Sequence, residues 1–388
     1  MKKIILSAAV AAMALTTTAS ALEDIKVSGQ AKLWYETRDT TAGTSLFDQG
    51  SSSGEVAFKL GMTGKQGNVG FGATVYQTST MGLETNLVSA VRTNTNNLTG
   101  DGKMFVGEAY ITLPAIADTV LKIGKQELDT PLAFTERWNA VPNTFNAAVA
   151  INSSLPNTTL IAAYVGQDSA TNWMSDGEVS NTLLGTGFDS ALAVAALYKN
   201  DMIAANAWYY QIRSAASALW IDATVNVGPA AITGYYATMM PDSALAALDD
   251  TDAYAVKVAG KVASVNLMAA YSSVSDDNGL AVANTSTGFK KTKLPTAGVY
   301  TDGLYVAQND SKAFKVKAST KLGSTGLALQ YVDNDNDRST ALQTSEIDLI
   351  VTQKVGDVNF KAILMDRDTP NNAAADGQYV RVIASVNF

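Results

Sequence analysis

The C-terminal run Gln378-Tyr379-Val380-Arg381-Val382-Ile383-Ala384-Ser385-Val386-Asn387-Phe388 has two unlike sides. In an extended chain successive side chains point to opposite faces. Phe388, Val386, Ala384, Val382 and Val380 therefore share one face, and Asn387, Ser385, Ile383, Arg381 and Tyr379 share the other. The first face is wholly apolar and the second mostly is not. A strand of a soluble sandwich and a strand of a membrane barrel both carry such a pattern, so the rest of the chain has to separate them.

The opposite terminus supplies the first discriminant. Lys2 and Lys3 precede an apolar run over 4–15, and Ala19-Ser20-Ala21 follows. Charge, short apolar core and small residues in that order describe a cleaved secretory signal. Cleavage is expected after Ala21, which gives a signal over 1–21 and one barrel domain over 22–388. No other segment has the roughly 20 consecutive apolar residues of a spanning helix, so a membrane would have to be crossed by strands.

Composition narrows the chemistry. The 388 residues are 47% hydrophobic and 16% charged, with 8 Pro, no Cys and no His. Without Cys there is no disulfide framework or thiolate metal site; without His the Ser-His-Asp triad and the usual proton shuttle are missing. An enzyme is not expected. The formal charge of −8 becomes −10 when the two signal lysines are removed. That argues against nucleic acid as a partner and, for an aqueous lumen, toward cations.

Period-two alternation recurs through the whole chain. Strands are read at 25–37, 55–63, 69–75, 103–113, 120–124, 146–152, 159–166, 190–198, 203–212, 216–227, 230–238, 252–260, 265–274, 312–322, 326–332, 344–354, 358–365 and 378–388. The total is about eighteen, with sixteen as the alternative. Short connections, such as 64–68 and 323–325, alternate with long polar ones at 38–54, 79–102, 126–145, 167–189, 239–251, 275–311, 333–343 and 366–377; only 213–215 breaks the rule. Tight turns at one end and long loops at the other are the asymmetry of an outer-membrane barrel. The fold class expected is all-β, a transmembrane antiparallel β-barrel.

The charged residues agree with that reading. By parity Lys32, Lys59, Lys122, Lys257, Lys315, Lys317, Lys361, Arg381, Glu36, Glu108, Glu346 and Asp348 fall on the inner face. Such side chains are almost never buried without partners in a dry core, whereas a water-filled lumen accommodates them. Aromatics near strand ends, among them Trp34, Tyr76, Tyr198, Tyr235, Tyr331 and Phe388, are candidates for interfacial girdles, and of Trp208-Tyr209-Tyr210 at least one must face inward.

One long connection differs from the others. The loop 126–145 carries Leu128, Leu132, Phe134, Trp138 and Phe145 among its acids, more apolar surface than a loop standing in water needs. It is expected to fold inward as the constriction, with subunit contact as the alternative. Glu127, Asp129, Glu136 and Arg137 would line the narrowest part, opposed by Lys32, Lys315, Lys317, Lys361 and Arg381 on the pore wall. Opposed rows of charge create a transverse field that screens solutes. The run Asp333-Asn334-Asp335-Asn336-Asp337 spaces carboxylates as a calcium loop begins, but Arg338 stands where Gly is needed and Thr344 where a bidentate Glu is needed. An acidic loop tip is the expectation there.

Three stretches carry a family resemblance: Ile25-Lys26-Val27-Ser28-Gly29 after the signal, Ile123-Gly124-Lys125-Gln126 running into Leu128 and Thr130-Pro131, and the terminal Phe388. Together they resemble the campylobacterial-type major outer-membrane porins, and the layout is similar to the substrate-selective porins of pseudomonads. The resemblance implies an eighteen-stranded, cation-preferring homotrimer with its third loop inside the barrel, in the outer membrane among lipid and lipopolysaccharide. It also implies a calcium ion at the constriction, for which no position-by-position ligand match exists here. No cofactor is otherwise expected. The reading is a general diffusion porin for ions and small hydrophilic solutes; the alternatives are a surface-exposed adhesive barrel, using the loop 275–311, and a substrate-selective porin.

Overall fold

The computed structural model describes residues 22–79, 82–83, 86–88, 90–91, 103–137, 140–168, 190–242 and 245–388. The expected signal over 1–21 and Trp138 lie outside them. In chain order the strands are β1 (Glu23–Thr40), β2 (Ser52–Gln66), β3 (Val69–Ser79), β4 (Ala90–Val91), β5 (Lys103–Pro114), β6 (Thr119–Gln126), β7 (Phe145–Leu155), β8 (Thr158–Asp168), β9 (Ala191–Lys199) and β10 (Ile203–Ile212). They continue as β11 (Ala216–Val227), β12 (Ala230–Pro241), β13 (Thr251–Val262), β14 (Val265–Val274), β15 (Ser311–Leu322), β16 (Thr325–Asn336), β17 (Thr344–Val355), β18 (Val358–Asp368) and β19 (Gly377–Asn387).

Eighteen of these form the wall; the two-residue β4 pairs in parallel with β2 outside that ladder. Every wall strand is antiparallel to its neighbours in sequence, and β1 pairs with β19 from Gln30↔Asn387 to Thr40↔Gly377, which closes the sheet. Closure satisfies every ladder and leaves no edge, the condition for a sheet to cross hydrocarbon. At ordinary strand spacing and tilt, eighteen strands enclose a cylinder about 35 Å across, too wide for side chains alone to fill.

The two faces invert the logic of a soluble protein. On β9 the large residues Leu192 and Val194 are about half exposed while Ala191, Ala193 and Ala195 are buried. On β13 Tyr254, Val256 and Val258 are exposed while Ala253 and Ala255 are buried. Large apolar side chains turned outward in successive strands make a lipid-facing band, since no water-soluble chain leaves so much apolar area uncovered.

The alternation is interrupted once in β5. Thr74 pairs with Glu108 and Val75 with Val106, so Gly107 is an extra residue, and beyond this bulge Met104 and Val106 are the exposed side chains. A bulge reverses parity, which a strict period of two cannot anticipate. The acidic run 333–337 also departs from expectation: β16 extends to Asn336, so Asp333 and Asp335 are exposed strand residues and Asn334 and Asn336 are buried between them. It is a strand end, not a loop tip. Trp34, Tyr76 and Tyr235 lie on the inner face and belong to no girdle, whereas Tyr164, Tyr198, Tyr271 and Phe388 are exposed outside. Trp208 and Tyr210 point inward and Tyr209 outward.

Candidate functional site: the constricted lumen

Among the described residues, two loops fill much of the barrel. The first, 126–145, is a small hairpin of its own. Asp129 bridges to Phe134, the Leu128 N–H donates to the Thr135 hydroxyl at 3.1 Å, and the Thr135 N–H donates to the Leu128 carbonyl at 2.8 Å. Pro131 supplies the fixed φ that a tight reversal needs. The Thr130 hydroxyl then donates to the Ala133 carbonyl across the tip at 2.6 Å.

That hairpin spans the lumen. At one side the Leu132 N–H donates to the Tyr210 hydroxyl on β10 at 3.4 Å, and Leu132 packs into a cluster with Phe145, Trp208 and Tyr210. At the other side Ala140 and Val141 pack on Trp34, Ala57 and Tyr76, and Lys32 Nζ on β1 donates to the Ala140 carbonyl at 3.3 Å. In the closed sheet β1 and β10 stand almost opposite each other. A loop that touches both crosses the channel, as its apolar texture foretold.

The second loop, 275–311, one of the long polar connections and the exposed surface of the adhesive alternative, is instead folded inward. Val282, Ala283, Asn284, Thr296, Val306 and Ala307 are completely buried. It docks on the first loop: the Thr285 N–H and hydroxyl both donate to the Leu132 carbonyl at 2.9 Å, and Asn284 Nδ2 donates to the Phe134 carbonyl at 2.8 Å and to Glu136 Oε1 at 2.9 Å. Within it Lys291 pairs with Asp302 at 2.8 Å, and Asp302 also accepts the Thr292 N–H at 2.9 Å. Burial holds the Asp302 carboxyl above its ordinary range even though Lys291 pulls the other way. The apolar run Leu280-Ala281-Val282-Ala283 was the available signal for this inward fold.

The named site residues divide into two groups. Glu127 and Arg137 form an ion pair with each other, and Asp129 pairs with Lys293 of the second loop at 2.6 Å while remaining largely exposed. Lys32, Lys317 and Lys361 are half-buried on the inner wall. Others are enclosed. Glu136 is only 5% exposed, held between the loops by Asn284 and Thr287. Lys315 donates its ammonium to the Ala297 carbonyl, and Arg381 donates Nε to Glu36 at 2.6 Å. These three sit behind the loops, where contacts brace the protein instead of meeting solute.

Over residues 7–290 the chain fits the model of the Gram-negative porins. The chain belongs to that family. This porin also has the fold of several solved outer-membrane channels. OccAB1 of Acinetobacter baumannii superposes with a TM-score of 0.74 at 16% identity, covering 95% of this chain and 97% of that one. OccK9 (OpdG) of Pseudomonas aeruginosa gives 0.74 at 14% identity over 94% and 98%, and OpdK of the same organism, solved with vanillate, 0.69 at 15% over 94% and 98%. At such identities the likeness is one of fold. No curated protein sequence matches the chain. Family and barrel place this porin in the outer membrane as a channel, not an enzyme.

Proposed function

We propose that this porin is a passive channel for small hydrophilic solutes, and that it is more restrictive than an open diffusion pore. The observation that carries the reading is the pair of docked loops, one reaching from β10 to β1 and the other packed upon it. Two ordered layers across an otherwise wide cylinder narrow the route that a solute can take. A general diffusion porin with cation preference finds support in Glu127 and Asp129, the acids the first loop carries at the lumen.

Solutes bearing a carboxylate are a second reading, favoured by the wall. Lys32, Lys59, Lys122, Lys257, Lys317 and Lys361 are all half-buried on the inner face, while Glu36, Glu136 and Glu346 are enclosed. OpdK, which shares the fold, was solved with vanillate. Lysines over tyrosine rings, as Lys122 over Tyr110 at 3.8 Å, would present charge beside an aromatic face. A trimeric assembly and membership of the campylobacterial-type branch are supported by the resemblance carried by Ile25–Gly29, by Ile123–Gln126 running into Leu128 and Thr130-Pro131, and by Phe388.

Planar-bilayer recording under a potassium chloride gradient, paired with liposome swelling, tests these readings. A cation-signed zero-current potential with swelling by all sugars below a size limit fits general diffusion. An anion-signed potential with swelling fastest for small carboxylates fits the second reading. Absence of channel steps from detergent-purified, heat-modifiable protein would remove both.

A further inference from the structure

The second loop packs on the barrel wall through apolar residues such as Val282 and Val306, and at one segment, 297–302, it is also held by charges. Glu346 on β17 is fully buried, and its carboxylate accepts the N–H groups of Val299 at 2.5 Å, Tyr300 at 3.0 Å and Thr301 at 2.7 Å, with the Thr301 hydroxyl at 3.0 Å. Arg367 Nε on β18 flanks it at 3.5 Å. Three consecutive amides aimed at one carboxylate form an anion-holding concavity in the loop, filled by a side chain of the wall. The fit is close: a Cβ on Gly298 would stand 2.6 Å from Glu346 Oε1.

A second attachment lies beside it. The Tyr300 hydroxyl bonds Glu36 of β1, Arg381 of β19 donates to the same carboxylate at 2.6 Å, and the Arg381 guanidinium sits 4.9 Å from the Tyr300 ring centre. The segment is thus pinned on both sides of the closing seam. Around it the wall is mixed: Val299 and Tyr300 pack on Ile363, Met365 and Tyr379, and Ala297 on Ala313 and Val332, while Thr344, two residues before Glu346, and its register partner Asn334 keep Oγ1 and Oδ1 buried without a protein hydrogen-bond partner. Asp348 stands two residues from Glu346 on the same inner face, bonded to Gln330 at 2.6 Å.

The charged part of this joint differs from the apolar packing beside it. Hydrocarbon contacts hold a loop against water at every point, whereas charge-to-amide bonds are exchanged for water bonds when water enters. Docked and released states are then separated by one cooperative cluster of bonds, the requirement for two discrete positions.

We propose that Glu346 is a latch: a positioning residue that holds segment 297–302 across the lumen, so that a carboxylate buried in the wall sets the largest solute admitted. The inference rests on the channel reading above and deepens it. Release of the latch widens the passage without altering any residue that faces solute.

The test uses the full chain in planar bilayers and in liposomes. Glu346→Ala and, separately, Gly298→Val are compared with the parent; the second leaves Glu346 and Arg367 in place and disturbs only their fit to the loop. Both variants are expected to add a second conductance level at least twofold above the first and to raise swelling by a trisaccharide several-fold, with swelling by glycine little changed. Retained heat-modifiable mobility shows that the barrel itself has formed. The chain has no native Cys, and Ser272 Oγ and Thr296 Oγ1 are 2.6 Å apart, so the pair Ser272→Cys and Thr296→Cys can tether the loop to β14. In the Glu346→Ala background, oxidation of that pair is expected to abolish the upper level and reduction to restore it. Conductance and swelling unchanged in both single variants would overturn the latch. An upper level that survives oxidation would also overturn it, because the wall and not the loop would then be responsible. A parent protein that shows no conductance would bring down the channel reading first.

Discussion

Gly29 and Phe388 meet across the seam where the barrel closes. The Gly29 N–H donates to the Phe388 carbonyl at 2.7 Å and the Phe388 N–H donates back at 3.0 Å. The phenyl ring lies over Gly29, where a Cβ would come within 2.1 Å of the ring. The same ring leans on Phe58 of β2, 5.7 Å between centroids. First, last and second strands are thus tied by one aromatic side chain that needs a residue without a side chain beneath it.

Gly29→Val is therefore expected to displace the ring and weaken closure, lowering the temperature at which the folded band disappears on heat-modifiability gels by several degrees. Phe388→Leu, which keeps the backbone pair and much of the apolar area, is expected to cost less. Equal midpoints for Gly29→Val and the parent would remove the ring packing from the closing interaction.

The acids of the first loop are not equivalent. Asp129 is exposed and Glu127 partly so, whereas Glu136 lies between the two loops. Neutralising Glu127 and Asp129 to amides is expected to shift the zero-current potential in a salt gradient toward anions. Glu136→Ala is expected to leave that potential nearly unmoved and to increase current noise, because it removes the acceptor for Asn284 and Thr287. A selectivity shift from Glu136→Ala equal to that from Asp129→Asn would contradict this division.

Leu132 anchors the tip of the first loop at 1% exposure among Phe145, Trp208 and Tyr210. Removing a buried leucine side chain to alanine costs about 2–5 kcal/mol when the site cannot collapse. Here the loss falls on loop docking, since the wall strands keep their ladders. Leu132→Ala should therefore raise the rate at which a protease cuts within 126–145 by at least tenfold in folded protein; an unchanged rate would show that the tip is held elsewhere.

Lys317 and Lys361 offer the contrasting case of wall charge. Replacing both with Ala is expected to slow swelling by small carboxylates several-fold relative to neutral solutes of the same size, with mobility on gels unaltered. Parallel changes for both solute classes would point to altered bore and not to charge.

Asp302 gives the second loop a pH dependence. Burial raises its folded pKa above the unfolded value, so its contribution to docking is fully present below the unfolded pKa and is lost as pH rises through the folded one. Asp302→Asn keeps an acceptor for the Thr292 and Gly303 N–H groups but cannot ionise. The variant and the parent are expected to show the same frequency of open excursions at acid pH, with the parent rising above the variant as pH increases toward neutral. A difference independent of pH would exclude titration of this group.

Much of the architecture was legible from side-chain alternation. The face of Gln378–Phe388 carrying Tyr379 and Arg381 is the inner one, all eighteen strand positions are occupied, and the inner lysines stand where parity put them. Alternation works because a closed sheet has only two environments, water and hydrocarbon, and each residue must choose. It failed at Gly107, where one inserted residue reverses the choice, and at Asp333 and Asp335, where acids at the membrane rim are as well solvated in a strand as in a loop.

Alternation alone assigned the wall residues and, apart from the stretch of β5 beyond the Gly107 bulge, the side that each one faces, because a period of two is a local property of the backbone. What crosses the lumen was decided only in three dimensions. Glu136, Lys315 and Arg381 look like pore charges until the loop 275–311 covers them, and the partners that enclose them, Asn284, Ala297 and Tyr300, belong to that loop, far away along the chain. Loop docking rests on individual hydrogen bonds between distant residues, and such bonds leave no periodic trace in a sequence.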